Sequence, residues 1–353
     1  MTSRRAGVVG TGLIGGSIGL ALRQRGWHVT GHDADPTRAE RALALGALDA
    51  VGVDAAAEIT FVATPVGAVG RVVVETLGTT RGLVTDVGSV KASIVEAVDD
   101  ARFVGGHPMA GSEQEGVEGA DAELFEGAVW VLTPTAATDD AAYAAVRTVV
   151  SSFGAEVVAL SPAQHDALVA VVSHVPHLAA ATLMRLADER AEEHAALLRL
   201  AAGGFRDMTR VAAGHPGIWP DICGENRVAI VDMLDRLVEA LADMRDVVAK
   251  DDRAGLLAVL ERARAARVNL PARFSRPSDL SELRVPVPDR PGVLADVTTL
   301  ATDLSVNILD LEIAHSSEGQ RGVLIMVVEA ALAERFHGGL LARGYRPSLR
   351  RLE

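Results

Sequence analysis

Val8-Val9-Gly10-Thr11-Gly12-Leu13-Ile14-Gly15 is a G-x-G-x-x-G sequence that leaves an apolar, strand-like run and opens a stretch of helical spacing. In this context Gly10 permits a tight turn, Gly12 lets the backbone approach a pyrophosphate, and Gly15 lets the helix pack closely on the strand. The helix N-terminus would then hold the phosphates. The motif predicts a dinucleotide site formed by Gly10, Thr11, Gly12, Leu13, Ile14 and Gly15.

An acidic residue after the second predicted strand supports the same interpretation. Asp33 stands about 20 residues beyond the glycines, where a carboxylate accepts a hydrogen bond from the adenosine ribose. The carboxylate would repel a 2′-phosphate, which favours NAD over NADP, although Arg38 could accommodate that phosphate. Thr64 and Pro65 follow a further strand, at the edge of the sheet where ligands of open α/β proteins bind. We predict that both residues contact the cofactor.

The composition excludes several other classes of protein. The 353 residues carry 34 Lys and Arg against 47 Asp and Glu, a formal net charge of −13, and such a field repels nucleic acid and anionic membranes. The one cysteine, Cys223, allows neither an intrachain disulfide nor a thiolate metal cluster. No segment approaches the ~20 apolar residues of a membrane span, and no signal peptide is recognised. We therefore expect a cytoplasmic protein that binds small molecules.

Three domains are predicted, and the fold class is α/β. Residues 1–160 alternate short apolar runs with helical stretches, which is typical of an N-terminal Rossmann-type domain with a parallel sheet. Its strands are expected at 6–9, 27–31, 59–63, 83–87, 103–105, 129–132 and 156–160. Residues 161–270 are predicted to be all helical, and their apolar residues on several faces favour burial in a homodimer. A linker at 271–281 precedes a βαββαβ pattern at 282–353, which suits a ferredoxin-like α+β domain.

A histidine follows the fifth predicted strand. Gly106-His107-Pro108-Met109 is expected to form a loop on the edge that carries the cofactor. A neutral imidazole, with an ordinary pKa near ~6.5, can accept a hydroxyl proton while hydride leaves for a nicotinamide. His174 and His177 share one predicted helix face, but without a third ligand in reach they indicate a polar pocket wall rather than a metal site. We therefore predict no metal.

Several longer motifs occur together and in order. At this point the chain resembles the prephenate dehydrogenase family, which includes the arogenate dehydrogenases. The segments that carry the resemblance are Gly10-Thr11-Gly12-Leu13-Ile14-Gly15-Gly16-Ser17, Asp86-Val87-Gly88-Ser89-Val90-Lys91, Gly106-His107-Pro108-Met109-Ala110-Gly111, Leu132-Thr133-Pro134, Val172-Ser173-His174-Val175-Pro176-His177 and Gly203-Gly204-Phe205-Arg206-Asp207-Met208-Thr209-Arg210. The resemblance covers roughly the first 270 residues, and the remainder resembles an ACT domain, a ferredoxin-like amino-acid sensor.

The resemblance implies a reaction and assigns roles to residues. In the family, NAD takes hydride from a cyclohexadienol and the ring then loses carbon dioxide as it becomes aromatic. By this analogy His107 accepts the hydroxyl proton, Ser89 touches the reacting hydroxyl and helps to orient His107, and Arg210 grips a substrate carboxylate. The pocket is implied to be lined or gated by Ser112, Glu113, Asp207, His174 and His177.

The C-terminal unit has a turn that resembles the effector turn of ACT domains. The resemblance implies an effector site at Asp289, Pro291, Gly292, Asn307 and Ile308, with tyrosine as the candidate effector. A purely structural dimerisation module is the alternative for this unit.

Three alternatives remain for the whole chain. An arogenate dehydrogenase would differ only in the amino group of its substrate, and a non-catalytic sensor of NAD and an amino acid would lack turnover. Related β-hydroxyacid dehydrogenases use a lysine of the helical domain as base. Lys91 and Lys250 are the only lysines, so none lies between residues 92 and 249, which argues against that third reading.

Overall fold

The computed structural model describes residues 4–112, 114, 116–193, 197–269, 280–288, 290–315 and 321–351. The chain divides into two compact units, Met1–Asp251 and Asp252–Glu353. Glu113, Asp289 and most of the predicted linker lie outside the described residues. The division into three domains at 160, 270 and 281 therefore stays a prediction.

The first unit is built on an eight-stranded sheet. Its strands are β1 (Arg5–Val9), β2 (His28–His32), β3 (Ala50–Val51), β4 (Ile59–Val62), β5 (Leu83–Asp86), β6 (Phe103–Pro108), β7 (Val129–Thr133) and β8 (Glu156–Ala159). They follow the order β3-β2-β1-β4-β5-β6-β7-β8. The seven strands predicted from the sequence are confirmed, and the two-residue β3 is an addition too short to leave an apolar pattern. The reversal of strand order at β1 opens the crevice where dinucleotides bind in this fold class.

One part of the sheet differs from the expectation of parallel strands. β1, β2, β4, β5 and β6 are parallel, but β7 runs antiparallel to β6, with His107 opposite Val131. The predicted loop position of His107 is therefore wrong, because the residue lies inside β6. Pro108 explains the difference, since a residue before proline is driven into the extended region. The pairing with β7 then continues the strand past its predicted end.

Helices cover the sheet and bury an aromatic core. They are α1 (Leu13–Gln24), α2 (Pro36–Ala44), α3 (Val66–Thr79), α4 (Ala92–Glu96) and α5 (Asp140–Ser152). Phe61, Phe125, Trp130 and Phe153 are all fully buried, and their ring centroids lie 5.0–6.3 Å apart. Aromatic contacts at these distances add to the area that the rings remove from water. Phe61 lies on β4 and Trp130 on β7, and β7 pairs directly with β6. The aromatic core therefore helps to hold in place the strand that carries His107.

Helices follow the sheet, as predicted. They are α6 (Pro162–Val169), α7 (Val175–Glu193), α8 (Gly203–Thr209), α9 (Trp219–Glu225) and α10 (Arg227–Ala249). α6 starts at a capping box formed by Ser161 and Gln164, which satisfies two free backbone donors. A π-helical turn, Ala170–His174, joins α6 to α7, and such turns often occur at functional sites.

The joined helix over Pro162–Ala191 is apolar over much of its length. By length and composition it could cross a membrane, with a mean hydropathy of 1.6 over 18 residues, of which 28% are buried. Leu168, Val172 and Leu186 of this helix are exposed in the single chain, as are Val228 and Val238 of α10. Apolar residues occupy several faces of this helix, so it does not have the single apolar face of an amphipathic helix. Burial of the additional faces against a second subunit would account for this pattern.

The second unit contains α11 (Arg253–Val268) and a small α+β fold. The latter comprises β9 (Leu280–Pro288), α12 (Val293–Asp303), β10 (Ile308–His315), β11 (Arg321–Glu329), α13 (Ala330–Ala342) and β12 (Ser348–Arg351). The sheet is antiparallel, in the order β10-β11-β9-β12, which confirms the predicted ferredoxin-like arrangement. Residues 280 and 281, predicted as linker, belong to β9. Phe336 and Leu340 of α13 are fully buried against the sheet.

Candidate active site

The glycine-rich turn leaves room for a ligand only where the motif requires it. Gly10 has a φ of +88°, and a Cβ there would overlap the carbonyl of Ala63. A Cβ at Gly15 would overlap the carbonyl of Gly10, so both glycines are required by close backbone packing. A Cβ at Gly12 would meet no atom within 4 Å. The space over the N-terminus of α1 is therefore open to a pyrophosphate.

The other predicted cofactor residues lie along the same edge. Asp33 follows β2, and its Oδ2 accepts hydrogen bonds from the backbone N–H of Thr11 (2.7 Å) and from the Thr11 hydroxyl (3.2 Å). These bonds hold the carboxylate beside the glycine-rich turn, with the rest of its acceptor capacity available to a ribose. Thr64 and Pro65 follow β4, and the buried Thr64 hydroxyl has no hydrogen-bond partner among the described residues. The donor set fits a dinucleotide.

His107 lies at the carboxyl end of β6, on the edge of the sheet where β1, β4 and β5 also end. Its Nδ1 lies 2.8 Å from Nε2 of His165, which is fully buried on α6. The second nitrogen of His165, Nδ1, lies 2.7 Å from Oδ1 of Asp166. The carboxylate of Asp166 also accepts the backbone N–H groups of Lys91 and Ala92, each at 2.8 Å. Two imidazoles and a carboxylate thus form a continuous chain.

The surroundings of His107 favour its neutral form. Burial holds the pKa of His107 well below 6.5, and His165, Lys91 and His174 lower that pKa further. Burial acts in this direction because a low dielectric disfavours the charged imidazolium. At neutral pH His107 is therefore an uncharged base, although part of its surface remains accessible.

Beneath this edge lies a buried ion pair. Lys91 and Asp86 are both fully buried, and the Lys91 ammonium contacts Oδ2 of Asp86. The Asp86 carboxylate also accepts the backbone N–H groups of Gly88 (2.8 Å) and Gly106 (3.1 Å). Burial lowers the pKa of Lys91, while Asp86 raises it. The pair ties the turn after β5 to the residue that precedes His107.

A second histidine is held in a defined orientation. His174 is 1% exposed, and its Nδ1 lies 3.1 Å from Nδ2 of Asn226, whose amide also donates to the carbonyl of Asp166 at 2.9 Å. Because an amide nitrogen only donates, Nδ1 of His174 accepts, and the proton of the neutral ring resides on Nε2. Burial lowers the pKa of His174 to about 4. His177, three residues on, stacks on Trp219 with ring centroids 3.7 Å apart.

The remaining predicted site residues are less closely joined. Ser89 is half-buried in the turn after β5, and Ser112 is exposed. Asp207 and Arg210 are exposed, on α8 and on the turn that follows it, and both elements pack against α7, which carries His177. Glu113 lies outside the described residues. The roles proposed for these residues, including the contact of Ser89 with His107, stay predictions.

In the second unit, three of the predicted effector residues are exposed. They are Pro291 and Gly292, at the start of α12, and Asn307, just before β10; Ile308 is half-buried. Asp289 lies outside the described residues. Gly292 has a φ of +92°, a conformation that explains a glycine before the helix.

Five residues of the site were missed from the sequence. Lys91 and Asp86 occurred in a motif but received no role, and Asn226 leaves no local signal at all. His165 and Asp166 follow the helix start at Ser161-Pro162, and an adjacent His-Asp pair in a first turn could have been singled out. The contact between His165 and His107 joins residues that lie 58 positions apart in the chain, and only the fold reveals it.

A dinucleotide edge with a half-buried, neutral imidazole at its carboxyl rim is typical of a nucleotide-dependent dehydrogenase. The family model described as "Prephenate dehydrogenase, nucleotide-binding domain" matches residues 18–159, and "Prephenate dehydrogenase, dimerization domain" matches residues 161–262. Prephenate dehydrogenase of Bacillus subtilis is 35% identical over 334 residues, covering 90% of this chain and 90% of that protein. The chain belongs to the prephenate dehydrogenase family.

Two solved structures show the same architecture. Prephenate dehydrogenase from A. aeolicus, in complex with hydroxyphenyl propionate and NAD+, is 29% identical with a TM-score of 0.72, and the match covers 77% of this chain and 99% of that one. Arogenate dehydrogenase from Synechocystis is 30% identical with a TM-score of 0.66, covering 74% of this chain and 98% of that one.

The buried ion pair yields a prediction about stability. We expect Lys91→Met to lower the free energy of unfolding by about 3–5 kcal/mol, because Asp86 is left as a buried charge without its cation. The double variant Asp86→Asn/Lys91→Met should recover part of that loss, since no charge then remains buried. Urea denaturation followed by circular dichroism measures both.

Lys250, the chain's other lysine, is exposed after α10 and supplies a matched control. Lys250→Met should change the free energy of unfolding by no more than about 0.5 kcal/mol. If Lys91→Met were as mild as this control, the pair would contribute nothing to the stability of the edge that carries His107.

Proposed function

We propose that this chain is an NAD-dependent prephenate dehydrogenase, which oxidises and decarboxylates prephenate to 4-hydroxyphenylpyruvate in tyrosine biosynthesis. The observation that carries the proposal is the neutral, half-buried His107 at the carboxyl edge of the sheet, on the same rim as the glycine-rich turn. Membership of the family supplies the substrate class, and the open space over Gly12 supplies the place for the cofactor.

NAD, when bound, supplies the acceptor of the hydride. Asp33 would hold its adenosine ribose, and the turn at Gly10, Gly12 and Gly15 would hold its pyrophosphate. The carboxylate of Asp33 disfavours the extra phosphate of NADP, so NAD is the proposed cofactor. Thr64, with its unpartnered buried hydroxyl, would bind a polar group of the cofactor.

His107 would act as the general base. Its imidazole accepts the proton of the substrate's ring hydroxyl while hydride leaves the carbon that bears this hydroxyl, so that a ketone forms. The ring carboxylate is then lost as carbon dioxide because the product ring is aromatic, and this step requires no further base. The chain contributes orientation as well, since holding a substrate in the reactive geometry lowers the barrier substantially.

Arg210 is proposed to bind a substrate carboxylate, with His174 and His177 forming the polar wall of the pocket. A guanidinium binds a carboxylate through two parallel hydrogen bonds. His174 presents an N–H at Nε2, because Asn226 occupies its Nδ1, and can donate to an oxygen of the substrate. Ser89 is proposed to touch the reacting hydroxyl, while Ser112, Glu113 and Asp207 would line or gate the entrance.

An arogenate dehydrogenase is the second candidate, because the two substrates differ only in a keto or amino group. The arogenate dehydrogenase from Synechocystis has 30% identity to this chain, which keeps the candidate open. A non-catalytic sensor of NAD and an amino acid is disfavoured, since a sensor has no need of a buried neutral base.

We further propose a cytoplasmic homodimer, with tyrosine as an effector of the C-terminal unit. Residues 161–262 match a dimerisation domain, and the exposed apolar residues of the joined helix and of α10 would be buried by a second copy. The C-terminal βαββαβ fold resembles that of amino-acid-sensing ACT domains, and an end product bound there would alter activity through its different affinities for two states.

The function is tested by following NADH formation with purified protein. Prephenate and arogenate are assayed in parallel, each with NAD and with NADP. We expect turnover with NAD rather than NADP, because the Asp33 carboxylate disfavours the 2′-phosphate. We expect prephenate to be the substrate because the chain belongs to the prephenate dehydrogenase family.

His107→Asn is the control for this assay, and should still bind NAD while its kcat falls by about 10²–10⁴, as removal of a general base does. Preferred turnover of arogenate would replace the proposed substrate, and an unchanged kcat in His107→Asn would remove the base from the mechanism.

Arg210→Gln tests the carboxylate clamp. We expect KM for prephenate to rise by about 10- to 100-fold with a smaller change in kcat, since a hydrogen bond to a charged group contributes about 1.5–3 kcal/mol. Arg206→Gln is the matched control, because Arg206 is also exposed on α8. Equal KM values for both variants would place the clamp elsewhere.

Tyrosine control is tested by inhibition curves. We expect tyrosine to inhibit the full-length protein, and Asn307→Ala to weaken that inhibition by about 10-fold or more while kcat stays unchanged, since a lost hydrogen bond reduces affinity by this order. Glu334→Ala, exposed on α13, is the control. Removal of residues 280–353 should abolish inhibition, and its persistence would indicate competition at the active site instead.

A further inference from the structure

The contact between His107 and His165 determines which nitrogen of His107 is the base. We propose that His165 is a positioning residue that holds His107 in the tautomer protonated at Nδ1, with Nε2 free to accept the substrate proton, and that Asp166 fixes His165 in turn. The inference rests on the proposed function, because the proton that Nε2 accepts is that of the substrate hydroxyl.

The first step of the argument starts at the carboxylate. Asp166 accepts three N–H groups, two from the backbone of Lys91 and Ala92 and one from Nδ1 of His165 at 2.7 Å. An ionised carboxylate only accepts hydrogen bonds, so the proton in this contact lies on Nδ1 of His165. A neutral imidazole has one N–H, and Nε2 of His165 is therefore an acceptor.

The second step follows from that acceptor. Nε2 of His165 lies 2.8 Å from Nδ1 of His107, and two lone pairs facing each other at this distance would repel. Nδ1 of His107 therefore carries the proton and donates it to His165. The hydrogen bond made by one ring nitrogen thus decides the state of the other. Nε2 of His107 is left with its lone pair, and it forms no hydrogen bond with the described residues.

The third step concerns the charge that appears during the reaction. When Nε2 of His107 takes the proton, the ring becomes an imidazolium in a buried position, which is costly. The Nδ1–H bond to His165 becomes charge-assisted and strengthens. The carboxylate of Asp166, one ring further, offsets the new charge, so His165 would transmit the stabilisation from a carboxylate that does not contact His107 itself.

The other groups around His107 act against protonation. They are His174, from the π-helical turn, and Lys91, whose ammonium is paired with Asp86 of β5. Both lower the pKa of His107, as does burial. His165 lowers this pKa as well, so burial and all three neighbours keep His107 neutral before the reaction. The role argued for the Asp166–His165 pair is therefore to fix the tautomer of His107, with the Asp166 carboxylate offsetting the charge that forms during the reaction.

The test uses three full-length variants and two readouts, with a fourth variant, His107→Asn, to assign the spectrum. His165→Phe keeps a buried ring but removes the acceptor, and His165→Gln restores an acceptor oxygen without the link to Asp166. His28→Phe is the matched control, because His28 also lies near a carboxylate, that of Asp49 at 3.8 Å, but at the start of β2, on the opposite edge of the sheet. The readouts are kcat/KM for prephenate with NAD against pH, and the ring-nitrogen NMR spectrum of ¹⁵N-histidine-labelled free protein.

We expect the wild-type spectrum to show His107 protonated at Nδ1, with the signal assigned by its loss in His107→Asn. In His165→Phe the Nε2–H tautomer should appear and the plateau of kcat/KM should fall about 10- to 100-fold. The plateau falls because a smaller fraction of His107 then has a free lone pair at Nε2 to accept the substrate proton. His165→Gln should recover much of the plateau, and His28→Phe should match the wild type.

Three outcomes would overturn the proposal. The first is a wild-type His107 protonated at Nε2, and the second is a His165→Phe variant whose tautomer and plateau are those of the wild type, as a packing role alone would give. The third, should His165→Phe fail to fold, is a His165→Gln variant in which Nδ1 of His107 stays protonated although the spectrum shows no hydrogen bond to the glutamine oxygen. Absence of prephenate turnover in the wild type would instead refute the proposed function, while the spectra would still decide the tautomer.

Discussion

The arrangement of the site depends on the carboxylate of Asp166. It stands in the first turns of α6 and accepts the two backbone N–H groups that precede and open α4, so it joins the helical segment to the sheet's carboxyl edge. The same carboxylate orients His165, and through it His107. The backbone carbonyl of Asp166 accepts a hydrogen bond from the side-chain amide of Asn226. A buried carboxylate must be fully hydrogen-bonded. Here its donors are the backbone N–H groups of Lys91 and Ala92 and the ring N–H of His165, which all belong to the site.

Two histidines are kept neutral by burial, yet they are prepared for opposite tasks. Nδ1 of His174 accepts from Asn226, which leaves an N–H at Nε2, whereas Nδ1 of His107 faces an acceptor, which leaves a lone pair at Nε2. One ring can therefore donate to a substrate oxygen and the other can accept a proton. Neither task requires a metal ligand, and no group of metal-binding side chains occurs among the described residues.

Much of the fold could be predicted because its signals are local. A strand, a glycine-rich turn and a helix lie within about 20 residues in the first βαβ unit, and the antiparallel C-terminal sheet was visible as a βαββαβ order. The prediction for His107 was wrong because strand pairing determines where β6 ends: β6 extends through Pro108 because β7 pairs with it. The helix over Pro162–Ala191 has apolar residues on faces that the single chain leaves exposed. No local pattern contains a strand partner or a second subunit.

The sequence by itself determined the class of the fold, the family and the glycine-rich turn with Asp33, and it led to the proposal of His107 as the base, because each depends on residue type at short spacing. The tertiary structure alone decided the environment of that base. His165 and Asp166 are 58 and 59 positions further along the chain, and Asn226 lies beyond them. Hydrogen bonds between such distant residues form only when the fold brings them together, and it is these bonds that determine on which nitrogen a proton resides.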